Sequence, residues 1–184
     1  MLYTRKGDNG TTKTFSCDQR ISKSSIIAEA LGSLDEINSY LGLCKIKAQK
    51  EKLQLPDGSS VAKEVHKMQE NLFIIQAEIA GSKMSITEEK IKELEKIIDA
   101  VEEELPPIKS FFISGGTKLA VLFDIARTVA RRAERRVIGV ENEGKININD
   151  FSKAYLNRLS SVLYALARLS NHKFGIKEDS PDYK

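Results

Sequence analysis

This chain predicts an all-α fold, a five-helix antiparallel bundle preceded by a non-helical amino-terminal loop, and three observations carry that prediction. Apolar residues recur at three- and four-residue spacing through five long stretches. Clusters of Gly, Pro and polar residues separate those stretches. The strict alternation of a half-buried strand is almost absent. A length of 184 residues suffices for one good core, and no linker-like composition shift divides it, so residues 1–184 are expected to form a single domain.

The first twenty or so residues are rich in Gly, Thr, Lys and Asp and read as non-helical. Ile26, Ile27, Ala30, Leu31, Leu34, Ile37, Leu41 and Cys44 then define an amphipathic helix ending near Lys50, and Pro56 to Ser60 mark the turn after it. Val61, Val65, Met68, Leu72, Ile75 and Ile79 carry a second helix to about Gly81. Thr87, with Glu88 and Glu89 behind it, opens a third: a hydroxyl stands where an N-cap is wanted and acids occupy the first turn. Pro106-Pro107 stops it. Gly115-Gly116-Thr117 leads into a fourth helix, about 117–140, and a polar turn at 141–145 separates that from a last helix, about 149–172. Several helices have apolar faces wide enough to suggest burial on more than one side, which points to contacts between copies.

Composition narrows the function classes. With 29 basic and 26 acidic residues the net charge is only +3, so any basic function is local and a non-specific nucleic-acid binder is not expected. No apolar run approaches the ~20 residues that span a bilayer, and Met1 to Arg5 hold no apolar signal core, so a cytoplasmic protein is expected. Cys17 and Cys44 lack CxxC partners and fit reduced thiols rather than a disulfide or zinc site. His66 and His172 are isolated and read as ordinary helix-surface residues.

The richest signal is the stretch from Arg127 to Arg136, with five arginines and a glutamate in an otherwise apolar helix. At about 100° per residue, Arg127, Arg131 and Glu134 fall within roughly 60° of one another. They border a stripe of Leu119, Phe123, Ala126, Ala130, Ala133 and Val137 that must pack against neighbours. Charges so placed need partners or an anionic ligand, because desolvating an unpaired one costs several kcal/mol. Two further polar stripes are candidates to meet them: Asp35, Asn38, Ser39 and Gly42 in the first helix, and Asn157, Ser161, Tyr164 and Arg168 in the last. Interhelical salt bridges and hydrogen bonds explain any single stripe equally well. The amino-terminal run Thr4 to Lys13 offers backbone amides, hydroxyls and three cations suited to phosphate oxygens. It is not a Walker A loop, since GxxxxGK[ST] is absent.

Together these segments resemble the PduO-type ATP:cob(I)alamin adenosyltransferases. The resemblance rests on YTRKGDNGTT at 3–12, GSLDEINSYLG at 32–42, FFISGG at 111–116, ARTVARRAERRV at 126–137 and YLNRLSSVLYALAR at 155–168, in that order. It implies a five-helix bundle assembled as a homotrimer, with active sites between subunits. It also implies that the cobalt of cob(I)alamin attacks C5' of ATP, bound with Mg2+, and expels triphosphate, which must be positioned and stabilised. On that resemblance Thr4, Arg5, Lys6, Gly7, Thr12, Lys13 and Lys23 belong to the ATP-binding loop. Arg131, with Glu134 and Arg135, belongs to the nucleotide-binding helix, and Asn157 is the asparagine of the final motif. Asp35 and Arg127 are the pair that joins neighbouring subunits, and Phe111 is the aromatic residue on the lower face of the corrin, where it displaces the axial ligand.

Three positions depart from the family pattern. Ser114 stands where proline is usual, Ser161 where aspartate is common, and Ile27 where many members have arginine. Two other classes stay open on sequence alone. A non-catalytic or weakly catalytic relative that carries or senses ATP or cobalamin would differ only in turnover. A nucleic-acid binder would need its arginines on a solvent face and would show a salt-dependent gel shift. The partners implied are small molecules and further copies of the chain, with a reductase upstream and an adenosylcobalamin-dependent enzyme downstream.

Overall fold

The computed structural model describes residues 3–14 and 20–183. Within them five helices follow one another: α1 Ile26–Glu51, α2 Val61–Ile79, α3 Glu88–Glu104, α4 Lys118–Asn142 and α5 Asp150–Lys173. Ahead of α1 two short strands, β1 Thr11–Lys13 and β2 Arg20–Ser22, pair antiparallel with Thr12 opposite Ile21. Three residues are too few for alternation to show in a sequence, which is why the amino-terminal region reads only as non-helical. Arg20 reinforces the pair, donating from Nε to the Thr11 hydroxyl at 2.7 Å and from Nη2 to the Thr11 carbonyl at 2.8 Å. Cys17 lies outside the described residues.

Local chemistry sets most helix ends. Ser25 caps α1 by accepting from the Ala28 amide, Thr117 caps α4 by accepting from Ala120, and Asn149 caps α5 by accepting from Phe151. Thr87 occupies the N-cap position of α3 as expected, but its side chain makes no capping hydrogen bond. The backbone of Lys52, left-handed at φ 53°, closes α1 by donating to Ala48 and Gln49.

Contacts fix the helix directions. Glu29 and Glu36 of α1 meet Arg136 and Arg132 of α4, and Lys153 and Asn157 of α5 meet Glu141 and Glu134 of α4, so α4 runs against both neighbours. Asn38 of α1 meets Gln69 of α2, while Lys45 meets His66, so these too are antiparallel. An odd number of alternating helices leaves one like pair: α3 lies beside α5 in the same direction, Glu95 with Arg158 and Glu104 with Lys173. The carboxy-terminal ends of α1, α3 and α5 therefore share one pole with the start of α4.

The core follows the periodicity. Leu119, Phe123, Ala126, Ala130, Ala133 and Val137 of α4 are fully buried, as are Leu34, Ile37 and Leu41 of α1 and Leu156, Leu159, Leu163 and Leu166 of α5. Burial pushes the Cys44 thiol up to about 12, which leaves it protonated and unreactive at neutral pH. Two polar clusters tie the helices together inside the core. Glu78 accepts from the Asn149 amide at 2.7 Å and from the Ser152 hydroxyl at 2.5 Å, tying α2 to the first turn of α5. Asn71 donates to the Tyr155 hydroxyl at 3.2 Å and accepts from Lys90 at 2.6 Å, which joins α2, α5 and α3.

The chain reaches α4 through a tight passage. Gly116 has φ +96°, and a Cβ there would lie 2.2 Å from Asn171 Oδ1. That same oxygen accepts from the Thr117 amide at 3.0 Å, and Asn171 Nδ2 donates to the Gly115 carbonyl at 3.0 Å. Gly116→Ala must adopt an unfavourable φ and displace Asn171, so thermal unfolding should show a loss of about 1–3 kcal/mol. Gly144→Ala, also at positive φ but with open space around it, should lose less.

Candidate active site

A cleft of about 610 Å³ opens between the segment that precedes α4 and the outer faces of α4 and α5. Its walls include Ile108 and Phe111 from that segment, Arg127 and Arg131 from α4, and Ser161 and Tyr164 from α5. Phe111 is 79% exposed, and Ile108 and Ile113 of the same segment are exposed as well, so the segment presents apolar surface to water. Arg127 is half-buried: its Nε donates to Asp124 Oδ1 at 3.2 Å and its guanidinium lies 5.7 Å from the centre of the Tyr164 ring. Burial pushes the Tyr164 phenol upward, although Arg168 and Arg127 pull the other way, so it stays a neutral hydroxyl at pH 7.

Side chains on α4 sort by direction. Arg132 and Arg136 turn toward α1 and pair with Glu36 and Glu29, the second pair at 3.5 Å. Glu134 turns toward α5 and accepts from Asn157 Nδ2 at 3.2 Å, while Asn157 is itself held by Arg158 at 2.9 Å. Arg131 and Arg135 point outward between those sides, exposed and without an ion pair among the described residues. The sequence reading placed Arg131 beside the core with a desolvation cost. The structure corrects this, because among the described residues no helix covers that side of α4 and Arg131 is exposed.

The two flanking stripes divide in the same way. Asn38 is buried, donating to the Gln69 carbonyl at 3.1 Å and accepting from Gln69 Nε2 at 3.0 Å, and the nearest group to a Cβ at Gly42 would also be Gln69. Both therefore serve the packing of α1 on α2. Asp35 is exposed, and it makes no ion pair with Arg127 within the chain, since Asp124 already holds that guanidinium. Arg168 turns away from the cleft into a buried pair with Glu178.

The amino-terminal loop lies at the other pole. Asp8 and Gly10 amides donate back to the Arg5 and Gly7 carbonyls, and the Lys23 amide donates to Gly10 at 2.9 Å, which folds Thr4 to Thr12 into compact turns. Arg5 sits at φ 58°, a region uncommon for a residue with a side chain. A Cβ at Gly7 would lie 3.2 Å from both Lys23 Nζ and the Thr11 carbonyl, so a larger residue would crowd the ammonium where it rests on the loop. Thr12 is half-buried, and Thr4, Lys6 and Lys13 are exposed. The loop joins α1 beside Gly139, where Ile26 packs so closely that a Cβ would approach to 2.8 Å. Gly139 is twelve residues along α4 from Arg127, about 18 Å at 1.5 Å per residue. One chain thus brings together Phe111, Arg127 and Arg131, and Glu134 with Asn157, but holds the loop apart from Phe111.

Residues that sequence reasoning missed are Ile108, Phe112 and Ser160, which line the cleft or its rim, and Glu178. Proximity to Phe111 was a usable signal for the first two. Among the described residues no group of three His, Cys, Asp or Glu side chains could hold a metal ion, and no helix is long and apolar enough to cross a membrane.

Residues 2–170 match the profile of the cobalamin adenosyltransferase family. A corrinoid adenosyltransferase of Citrobacter freundii is 36% identical over 188 residues, covering 98% of this chain and 97% of that protein. Its counterpart in Bacillus subtilis is 37% identical over 179 residues, covering 95% and 89%. The PduO protein of Citrobacter freundii is 38% identical, and the match covers only 50% of its length. A variant of the Lactobacillus reuteri PduO-type ATP:corrinoid adenosyltransferase, solved with cobalamin and ATP, superposes with a TM-score of 0.88 at 27% identity, covering 100% and 97% of the two chains. The chain belongs to the cobalamin adenosyltransferase family.

Proposed function

We propose that the protein transfers the 5'-deoxyadenosyl group of MgATP to cob(I)alamin, and that the cleft beside Arg131 is the part of the active site that one copy supplies. The observation that carries this reading is the convergence of an exposed aromatic side chain, Phe111, with Arg127 and Arg131 on a single open cleft. In the reaction a bond forms from cobalt to C5' while the C5'–O bond breaks, so negative charge grows on the departing triphosphate. Arg131, exposed and uncommitted to any ion pair among the described residues, is the cation to meet that charge, with Arg135 one turn further along. Backbone amides at 4–12, with Lys6, Lys13 and Lys23, wrap the phosphates, while Arg5 and Thr12 shape the turn around them. Magnesium arrives with the nucleotide, and Glu134 is a carboxylate on the α5 side of the helix, next to the direction Arg131 takes. Glu134 and Asn157 hold each other in place beside the nucleotide. Phe111 lays an apolar surface against the lower face of the corrin and keeps water or a base from the axial position.

The separation of the loop from Phe111 supports a homotrimer in which the loop of one copy completes the cleft of the next. Asp35, exposed and without an ion pair among the described residues, then meets Arg127 of a neighbour. The same reading places the protein in the cytoplasm, supplied by a reductase and feeding an adenosylcobalamin-dependent enzyme. An anaerobic assay with chemically reduced cobalamin and MgATP tests it: light-sensitive adenosylcobalamin should accumulate, and tight binding without turnover would instead mark a carrier or sensor.

Sedimentation at micromolar concentration should show a trimer, and a strict monomer would end the shared-site proposal. Arg131→Ala should lose a charge-assisted contact worth about 1.5–3 kcal/mol and weaken ATP use at least tenfold with the trimer intact. Arg136→Ala, which gives up only an exposed pair with Glu29, should be nearly silent. Phe111→Ala should bind ATP normally yet lose the four-coordinate cob(II)alamin spectrum, and its defect should be larger when the assay starts from cob(II)alamin than from cob(I)alamin.

A further inference from the structure

The segment that carries Phe111 has no regular structure, so something must hold it. The backbone after α5 turns back on itself, with the Ile176 amide donating to the Asn171 carbonyl at 2.9 Å, and then runs alongside that segment. Three contacts join the two. Arg168 Nε donates to Glu178 Oε2 at 2.9 Å while its Nη2 donates to the Pro106 carbonyl at 3.1 Å. The Ser110 and Ser180 hydroxyls lie 2.7 Å apart, and the Ile113 amide donates to the Asp179 carbonyl at 2.8 Å. The Arg168 guanidinium also lies 5.1 Å from the centre of the Phe112 ring. The Arg168 side chain is 7% exposed and that of Glu178 18%, so the pair is largely withdrawn from water.

We propose that Arg168 and Glu178 are positioning residues for cobalamin: through them residues 176–180 strap the 106–113 segment and hold the Phe111 ring over the cleft. The inference rests on the reading of Phe111 given above. Each tie falls on one side or the other of Phe111, at 106, 110, 112 and 113, and the ring between them is left bare. A guanidinium can do this because its donors diverge in one plane, one toward the strap and one toward the segment, while its face covers Phe112. A lysine has no such fork. Removing Glu178 leaves a buried cation without its counter-charge, which drives Arg168 toward water and releases both chains. The amino-terminal loop at the far pole takes part in none of these contacts.

The test uses the whole protein with Glu178→Ala, which lies outside the helices, and Arg168→Lys as a second variant. Hydrogen exchange at the Ile113 amide reads the strap directly and should quicken at least tenfold in Glu178→Ala. With ATP and cob(II)alamin the four-coordinate signal should fall several-fold, while the Kd for ATP alone stays within twofold. Glu178→Gln, which keeps the hydrogen bond and not the charge, should recover part of both losses. Unchanged exchange at Ile113 would overturn the strap. Faster exchange with an undiminished cob(II)alamin signal would overturn its positioning role, and so would equal losses in ATP and cobalamin binding, which would mark a merely structural pair. A wild-type protein that gives no four-coordinate signal would instead remove the reading of Phe111, and exchange at Ile113 would then decide the strap alone.

Discussion

Because Ala126, Ala130 and Ala133 place only methyl groups on the inner side of α4, α1 and α5 can both lie close against it, and this approach decides where every charged residue of the helix must go. At 3.6 residues per turn the inner stripe leaves three outer directions. The α1 side takes Arg132 and Arg136, which meet carboxylates of that helix. The α5 side takes Arg127 and Glu134, which meet Tyr164 and Asn157. Only the direction between them is left to Arg131 and Arg135. Larger residues at these three positions would push the neighbours apart and blur that sorting. Packing at the core and the presentation of cations at the surface are thus one arrangement, and the cleft exists because the third direction of α4 is uncovered.

Much of this was legible in the sequence. Helical periodicity located all five helices to within a few residues, and the angle between Arg127, Arg131 and Glu134 followed from helix geometry alone. Motif order, rather than periodicity, brought Phe111 and the amino-terminal loop into the same proposal. The unreadable parts are those set by partners distant in sequence. Asn38 looks like a ligand residue until Gln69 is seen beside it, and Arg168 shares a stripe with Ser161 and Tyr164 yet bends away to Glu178. Glu78 and Lys90 carry no local sign that their charges end against Asn149, Ser152 and Asn71. Local rules also overreach: Thr87 has the right type and place for a cap and leaves the bond unmade.

The departures from the family pattern gain meaning from the geometry. Proline at position 114 would stiffen the chain by fixing φ. Here Ser114 is flanked by two anchored residues, Ile113 through its bond to Asp179 and Gly115 through its bond from Asn171. Hydrogen bonds on either side can restrict the chain much as a ring would. Ser161 keeps a hydroxyl in the wall of the cleft without adding a carboxylate close to Arg127 and Arg131, so the local field stays more positive than an aspartate would allow.

An odd count of alternating helices has a further electrical consequence. Each helix start bears about half a positive charge and each end about half a negative one, and both fade within a turn. At the pole of the amino-terminal loop three helices begin and two end, whereas the opposite pole has the reverse balance. The start of α1 at Ile26 lies three residues after Lys23, so the amino-terminal end of that helix lies close in sequence to the ammonium. The bundle is therefore polarised end to end by its backbone alone, which favours anions at the pole where the glycine and threonine turns lie.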